Sequence, residues 1–333
     1  MSASAQGTTL LEVTGLTKHF PLRKGVLGRD RGQVHAVDDV SFSIAGGETL
    51  GLVGETGCGK STTSKLILRL IDPTTGSIQW RGRRIDNLGV AAMRPIRREL
   101  QAVFQDPYSS LNPRMRAMDI VAEPIRNFEI ALERDVCSRV AHLFEKVGLR
   151  PDQMVKYPYE FSGGQRQRLC IARALAPRPK LIVCDEPVSA LDVSMQAQVV
   201  NLLMDLQQEL GLSYLFVAHD LAVVEHISHR VAVMYLGRIV ELADVRSLFT
   251  RPQHPYTEAL LSAVPLPDPG AVRKRIVLTG DVPSPISPPP GCRFHTRCPY
   301  TEARCRIERP ATREVAPGHF VACHLRDGSV VAA

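Results

Sequence analysis

Nine residues, Gly54-Glu55-Thr56-Gly57-Cys58-Gly59-Lys60-Ser61-Thr62, constrain this chain more than any other feature. They follow the apolar run Thr49-Leu50-Gly51-Leu52-Val53 and precede Leu66, Ile67, Leu70 and Ile71 at helical spacing. A strand, a glycine-rich turn and a helix are therefore predicted in succession, which is the context of a phosphate-binding loop. Its glycines let consecutive backbone N–H groups turn inward around phosphates, and the helix opening near Lys60 adds the positive end of its dipole. Lys60 is expected to reach the β and γ phosphates of a nucleoside triphosphate, Ser61 to ligate Mg²⁺ and Thr62 to lie close to the α phosphate. A glycine-rich turn arising by chance would not bring the flanking strand and helix with it.

The 333 residues suffice for one large domain and a smaller one. Hydrophobic residues make up 44%, and no stretch approaches the roughly 18 to 20 consecutive apolar residues of a membrane span, so the chain is not expected to cross a bilayer alone. Met1 to Gly7 lacks the basic and apolar blocks of a secretion signal, which points to the cytoplasm. A net charge of +7 would suit nucleic acid or an anionic membrane, but the arginines are scattered and aromatics reach only 5%, so a solvated basic surface and no nucleic-acid partner are expected. Of eight cysteines, Cys58, Cys137, Cys170 and Cys184 are dispersed, whereas Cys292, Cys298, Cys305 and Cys323 crowd the C-terminus; in a reducing compartment such a group reads as metal-binding rather than disulfide-bonded.

Residues 9–53 alternate short apolar runs with turns, predicting an antiparallel β-layer beside the phosphate-loop strand, with Lys24 to Gln33 as an exposed hairpin loop. From about 107 to 180 the periodicity turns helical, through Ile120, Val121, Ile125, Val140, Leu143, Phe144 and Val147. Strands return at Leu181 to Cys184 and Tyr214 to Ala218, with Val199, Leu202, Leu203 and Leu206 on a helix between them, so the fold class is α/β, a P-loop NTPase with a parallel sheet. After about 250 prolines accumulate, predicting a small appended region with few long helices.

Asp185 and Glu186 close an apolar strand. At the phosphate end of a parallel sheet Asp185 would hold Mg²⁺ through water and Glu186 would polarise the attacking water as general base. Two acids after a strand are by themselves more often a surface turn; the phosphate loop 125 residues upstream of Asp185 is what makes the catalytic reading the stronger one. Phe161-Ser162-Gly163-Gly164-Gln165 precedes a helix, and its hydroxyl and paired glycines could offer donors to a γ phosphate. Because each molecule already has its own loop, this second phosphate site would face another subunit. Gln105 and His219 supply a carboxamide and an imidazole where strands end, either of which alone reads as an ordinary polar residue.

Taken in order, Gly54 to Thr62, Gln105, Phe161 to Gln165, Asp185-Glu186, Ser189-Ala190-Leu191-Asp192 and His219 resemble the motif set of ATP-binding cassette (ABC) transporter ATPases over about residues 9–250. The resemblance implies an antiparallel β-subdomain, a helical subdomain at about 107–180 and a flexible 1–8. It also implies that Phe20 stacks on adenine, Gln105 contacts Mg²⁺ and signals to membrane subunits, Asp192 bridges the dimer and His219 contacts the γ phosphate. Phe161 stands where many members have leucine and Val188 where threonine is common. Arg251-Pro252-Gln253-His254-Pro255-Tyr256-Thr257 and Phe104-Gln105-Asp106-Pro107-Tyr108 narrow the resemblance to the oligopeptide/dipeptide importer ATPases, most of all the second ATPase of dipeptide importers; nickel, glutathione and other peptide-like importers share these features.

That family implies an ATP-hydrolysing motor paired with a paralogous ATPase in a heterodimer. It would be held peripherally at the cytoplasmic face of the inner membrane by two integral permease subunits and served by an extracytoplasmic substrate-binding protein. Two other classes compete: a soluble ABC protein of translation or DNA repair, which uses the same ATP sandwich without a membrane partner, and a redox or metal sensor with the C-terminal cysteines as input and the ATPase as output; no second cassette and no long coiled coil speaks for the soluble class. Cys292, Cys298, Cys305 and Cys323, separated by five, six and seventeen residues within 251–333, are expected to hold a [4Fe-4S] cluster, a reading to which the importer resemblance also leans. Zn²⁺ is the alternative, although structural zinc usually draws on closely spaced Cys-x2-to-4-Cys pairs. His295 and His324 are near enough to substitute as ligands but are expected outside the ligand set.

Overall fold

The computed structural model describes residues 8–24, 29–263, 276–278 and 280–326. The residues before Thr8, the tip of the charged insertion at 25–28 and the prolines Pro265, Pro267 and Pro269 lie outside that set. The chain divides into two units, one from Met1–Leu10, Ile44–Thr49 and Trp80–Val217, the other from Leu11–Ser43, Leu50–Gln79 and Ala218–Ala333.

In the first unit, Leu181–Asp185 and Ser213–Val217 are buried at every position, as interior strands covered on both faces must be. Leu181–Asp185 runs parallel to Ser213–Val217 on one side and to Leu100–Val103 on the other. The expected helical stretch is present as Ala117–Asn127, Glu133–Lys146 and Gly163–Leu175. Ile120, Val121 and Ile125, with Val136, Val140, Leu143 and Phe144, are its buried stripes. Val193–Leu210 ends at Gly211, whose φ of 63° supplies the left-handed turn that stops a helix. Helix Val90–Glu99 lies outside the helical stretch expected from the sequence and carries Pro95 inside it.

In the second unit, Thr49–Val53 lies parallel to Arg230–Tyr235, pairing Leu50 with Arg230 and Val53 with Val233. Leu236 and Gly237, at φ of 42° and 81°, turn the chain tightly into Arg238–Asp244, which returns antiparallel. Arg238–Asp244 then accepts His319–Val321 on its other edge, Glu241 facing Val321 and Leu242 facing Phe320, and Arg313–Ala316 closes that sheet. A separate sheet holds Arg29–Ala45, Thr9–Lys24 and Thr75–Trp80 side by side, the β-layer expected from the sequence. The charged insertion is shorter than expected: strand structure resumes at Arg29, with Gly32 at φ 108° inside it. Among the described residues, the proline-rich end contains one α-helix, Pro255–Ser262, started by Pro255 at its first position and by His254 Nδ1, which accepts from the Tyr256 N–H at 3.1 Å.

Candidate functional site

The phosphate loop sits where strand Thr49–Val53 passes into helix Lys60–Ile67. Two glycines are sterically obligatory. At Gly54 (φ 152°) a Cβ would lie 2.1 Å from Met234 O, and at Gly59 (φ 111°) 2.2 Å from Ala36 O. Gly57 (φ 80°) faces open space and Thr56 is exposed, so the crown of the loop is solvent-accessible. Lys60 is 4% exposed, and its ammonium donates to Gly54 O at 2.7 Å and Glu55 O at 3.2 Å, closing the loop onto itself. Ser61 and Thr62 are half-buried at the helix start, where backbone N–H groups and dipole favour an anion. Burial pushes the Cys58 thiol up, against the Lys60 charge, so this cysteine packs as a small neutral group.

In the same unit, Ala218 N donates to Leu52 O, which sets the exposed His219 beside the strand that feeds the loop. Phe20 is 37% exposed, with the Lys18 ammonium 5.1 Å from its ring centre. A ring this exposed is accessible to a stacking partner.

The first unit holds the acidic pair. Asp185 is 7% exposed, and Glu186, at φ 50°, turns the chain out of the strand while its N–H donates to Val217 O at 2.9 Å. Gln105 Nε2 donates to Glu186 Oε2 at 3.0 Å, and Ser189 Oγ donates to Glu186 O at 3.1 Å. Two residues 81 apart in sequence are thus brought into contact, leaving Glu186 a carboxylate oriented by a neutral donor.

Ser162 caps helix Gly163–Leu175: Gln165 N donates to Ser162 Oγ at 3.3 Å and Ser162 N to Gln165 Oε1 at 3.0 Å. Phe161 is 3% exposed, so the residue that departs from leucine serves as a core anchor, and Ser162 is presented at the surface by a rigid helix start. Gly163 and Gly164 open that helix, with the Met195 methyl close to Gly164. Asp192 caps the next helix, accepting from Met195 N at 2.9 Å, and is itself exposed.

The four C-terminal cysteines are gathered in the second unit. Cys292 N donates to Cys305 O at 2.8 Å, and Cys305 and Cys323 are buried. Burial pushes the Cys292 and Cys323 thiols up to about 11 and also raises Cys298; after burial, neighbouring cysteines add to each rise. Among the described residues, no three of the four sulfurs come within 4.8 Å of one another; the one ligand-type group that does so is His19, His35 and Asp38. A single tetrahedral zinc needs sulfurs about 3.8 Å apart, from a Zn–S length of ~2.3 Å. His295 Nδ1 is 2.8 Å from Cys292 O and His324 Nε2 is 2.8 Å from Glu308 O, so each ring has a nitrogen committed to a carbonyl.

Sequence reasoning missed a set of contacts on the phosphate loop itself. Arg297 NH1 and NH2 donate to Glu55 Oε2 at 2.7 Å and Oε1 at 3.1 Å, and Glu55 N donates to Tyr256 Oη at 2.9 Å. The signal was an arginine directly before Cys298, together with the tyrosine of the Arg251-to-Thr257 run; nothing local says what either reaches.

A model of ABC transporters matches residues 37–189, and a model of the oligopeptide/dipeptide transporter C-terminal region matches residues 240–305. The chain is 56% identical to a probable peptide ABC transporter ATP-binding protein, y4tS, of Sinorhizobium fredii over 95% of this chain and 90% of that protein. It is 52% identical to the oligopeptide transport ATP-binding protein AppF of Bacillus subtilis over 97% of this chain and 99% of that one. Among solved structures, the dimeric post-hydrolysis state of the ATP-binding cassette MJ0796 bound to ADP and Pi covers 71% of this chain and 99% of its own, at 27% identity and a TM-score of 0.64. On these matches, the chain belongs to the ATP-hydrolysing ATP-binding proteins of ABC transporters, in the branch that carries the oligopeptide/dipeptide C-terminal region.

Proposed function

We propose that this protein is the motor subunit of an importer for dipeptides or oligopeptides. The buried Lys60 carries the reading: its ammonium is parked on the loop carbonyls Gly54 O and Glu55 O, within a loop whose crown is open, where the β and γ phosphates of ATP can replace them as its partners. The backbone of Gly54 to Gly59 cradles the phosphates, Ser61, Gln105 and Asp185 serve Mg²⁺, and Phe20 stacks on adenine. Glu186 accepts the proton of the attacking water, oriented by Gln105, and His219 contacts the γ phosphate. Ser162, Gly163, Gly164 and Gln165 of one subunit, with Asp192 at the interface, complete the site of the other. A paralogous ATPase as partner, two permease subunits, an extracytoplasmic binding protein and residence at the cytoplasmic face of the membrane follow from the same reading, supported by the peptide-transport names of y4tS and AppF.

The test is affinity capture from detergent-solubilised membranes, with reconstitution of what is captured into vesicles. Two integral membrane proteins and a second ATPase, with hydrolysis stimulated by a peptide-loaded binding protein, are expected. Capture of ribosomes or DNA without membrane subunits would sink the reading.

For Cys292, Cys298, Cys305 and Cys323 the reading is a [4Fe-4S] cluster, with Zn²⁺ as the alternative; it rests on their wide sequence spacing, which lacks the Cys-x2-to-4-Cys pairs usual for structural zinc. Such a cluster would organise a segment with little apolar core of its own. Anaerobically purified protein is expected to be brown, to absorb near ~400 nm and to hold about four irons per chain. Stoichiometric zinc without iron would replace that assignment.

A further inference from the structure

Glu55, the second residue of the phosphate loop, is fixed at three points, two of them from the C-terminal part of the chain. Its carboxylate takes both terminal nitrogens of Arg297, a pair in which the arginine side chain is 8% exposed and the glutamate 27%. Its backbone N–H is held by Tyr256 Oη, and its carbonyl accepts from Lys60 Nζ and from Cys58 N at 3.2 Å each. A continuous path of hydrogen bonds therefore runs from Arg297 through Glu55 to the lysine that must meet the phosphates.

The residues behind Arg297 leave it little freedom. Arg293, four residues earlier, donates to Leu236 O and to Asp38. Phe294 is 1% exposed and packs against Tyr235 at 5.2 Å, Tyr256 at 5.4 Å and His254 at 5.6 Å between ring centres. Gly291, at φ 64°, lies so close to Cys305 O that a Cβ would meet it at 2.5 Å. A guanidinium on such a base presents a rigid fork to a carboxylate, and two parallel bonds fix orientation as well as distance.

We infer that Arg297 is a positioning residue for nucleotide binding: through Glu55 the cysteine-bearing segment holds the phosphate loop in its receptive shape, so that ATP does not have to order the loop on arrival. This rests on the reading of the loop as an ATP site. Pre-ordering acts on affinity and leaves the chemical step alone, because Arg297 acts on the loop through the Glu55 carboxylate.

The experiment measures ATP dissociation constants and steady-state kinetics on the full chain in its assembled complex, for wild type, Arg297→Gln, Arg297→Lys, Glu55→Gln and the Arg297→Gln/Glu55→Gln double variant, with Lys60→Ala as the binding-dead control. Arg297→Gln is expected to weaken ATP binding and raise KM roughly five- to tenfold, at the lower end of site-to-site couplings, with kcat moved by less than about twofold. Arg297→Lys, which keeps the charge but loses the fork, should fall between. The double variant should be no weaker than either single one, as expected of two residues acting through one contact. Unchanged affinity in Arg297→Gln, or additive losses in the double variant, would overturn the inference. A wild-type chain that binds no ATP would instead remove the functional reading beneath it. Glu55→Gln keeps shape and sits at a half-exposed position, so it decides the matter even if Arg297→Gln folds poorly.

Discussion

Gln105 Nε2 donates to Glu186 Oε2 across 3.0 Å, joining a residue just past strand Leu100–Val103 to the residue that follows its parallel neighbour Leu181–Asp185. A neutral amide can orient a carboxylate without competing for the proton it is to accept. Glu186→Gln keeps the shape and removes the base, so ATP binding should persist while hydrolysis falls by a factor of about 10² to 10⁴. Equilibrium nucleotide binding and phosphate release, measured on the same preparation, check it; near-wild-type hydrolysis in Glu186→Gln would show that another group serves as the base.

Gly57 and Gly59 differ sharply in what surrounds them. Gly59→Ala should destroy ATP binding, because its Cβ has nowhere to go but into Ala36 O at 2.2 Å. Gly57→Ala meets nothing within 4 Å and bears only the strain of its positive φ, about 1 kcal/mol. Nucleotide binding and melting temperature for the pair should separate accordingly, and equal behaviour of the two would mean that the loop opens far from its present shape.

Ser162 stands exposed as the N-cap of its helix, its Oγ accepting from Gln165 N and its own N–H donating to Gln165 Oε1. Ser162→Arg is expected to abolish turnover at the partner's nucleotide in the assembled pair, yet to leave the variant's own Lys60 loop able to bind ATP. Mixed complexes carrying one variant subunit give the readout, and full activity in them would refute the shared-site geometry.

His254 is 1% exposed, and burial brings its pKa from 6.5 down to about 4, against the opposing pull of Glu241. Its Nδ1 lone pair accepts from Tyr256 N–H, which a protonated ring could not do. The folded state therefore binds this proton more weakly than the unfolded state, so the contribution is intact above pH 6.5 and is lost as pH falls toward 4. Between pH 7 and 5 the wild type should lose about 2 kcal/mol more stability than His254→Asn, whose side chain can still cap the helix without titrating. Denaturation at the two pH values tests the difference; parallel curves for the two proteins would show that the imidazole titrates normally.

The parts legible in the sequence were those whose chemistry is local. Gly54 to Lys60 announces a strand, a turn and a helix by residue type alone, and the helical periodicity of 107–180 survives intact in Ala117–Asn127 and Glu133–Lys146. Ser162 and Gln165 form a capping pair that a four-residue window reveals. Helix Val90–Glu99 stayed hidden because Pro95 argues against it locally, while Met93 and Ile96, both buried, hold it in place. The Arg297–Glu55 contact spans 242 residues, and no short window carries information about a partner so far along the chain. The bond between Gln105 and Glu186 is equally invisible locally, although each residue stands at the end of a predicted strand.

Strand Arg238–Asp244 owes its second neighbour to the far end of the chain, and that has a bearing on how the protein can be cut. A stop codon between Ala263 and His319 would strip away His319–Val321 and leave Val240 and Leu242 on an open, apolar sheet edge, a template for pairing with other copies. Glu241, whose side chain is fully enclosed, would keep the N–H groups of Gln253 and His254 but lose His319, its third donor at 2.7 Å, leaving a sequestered carboxylate short of partners. The terminal segment is thus no detachable accessory: a shortened cassette, however complete its ATP motifs, should be recovered as aggregate.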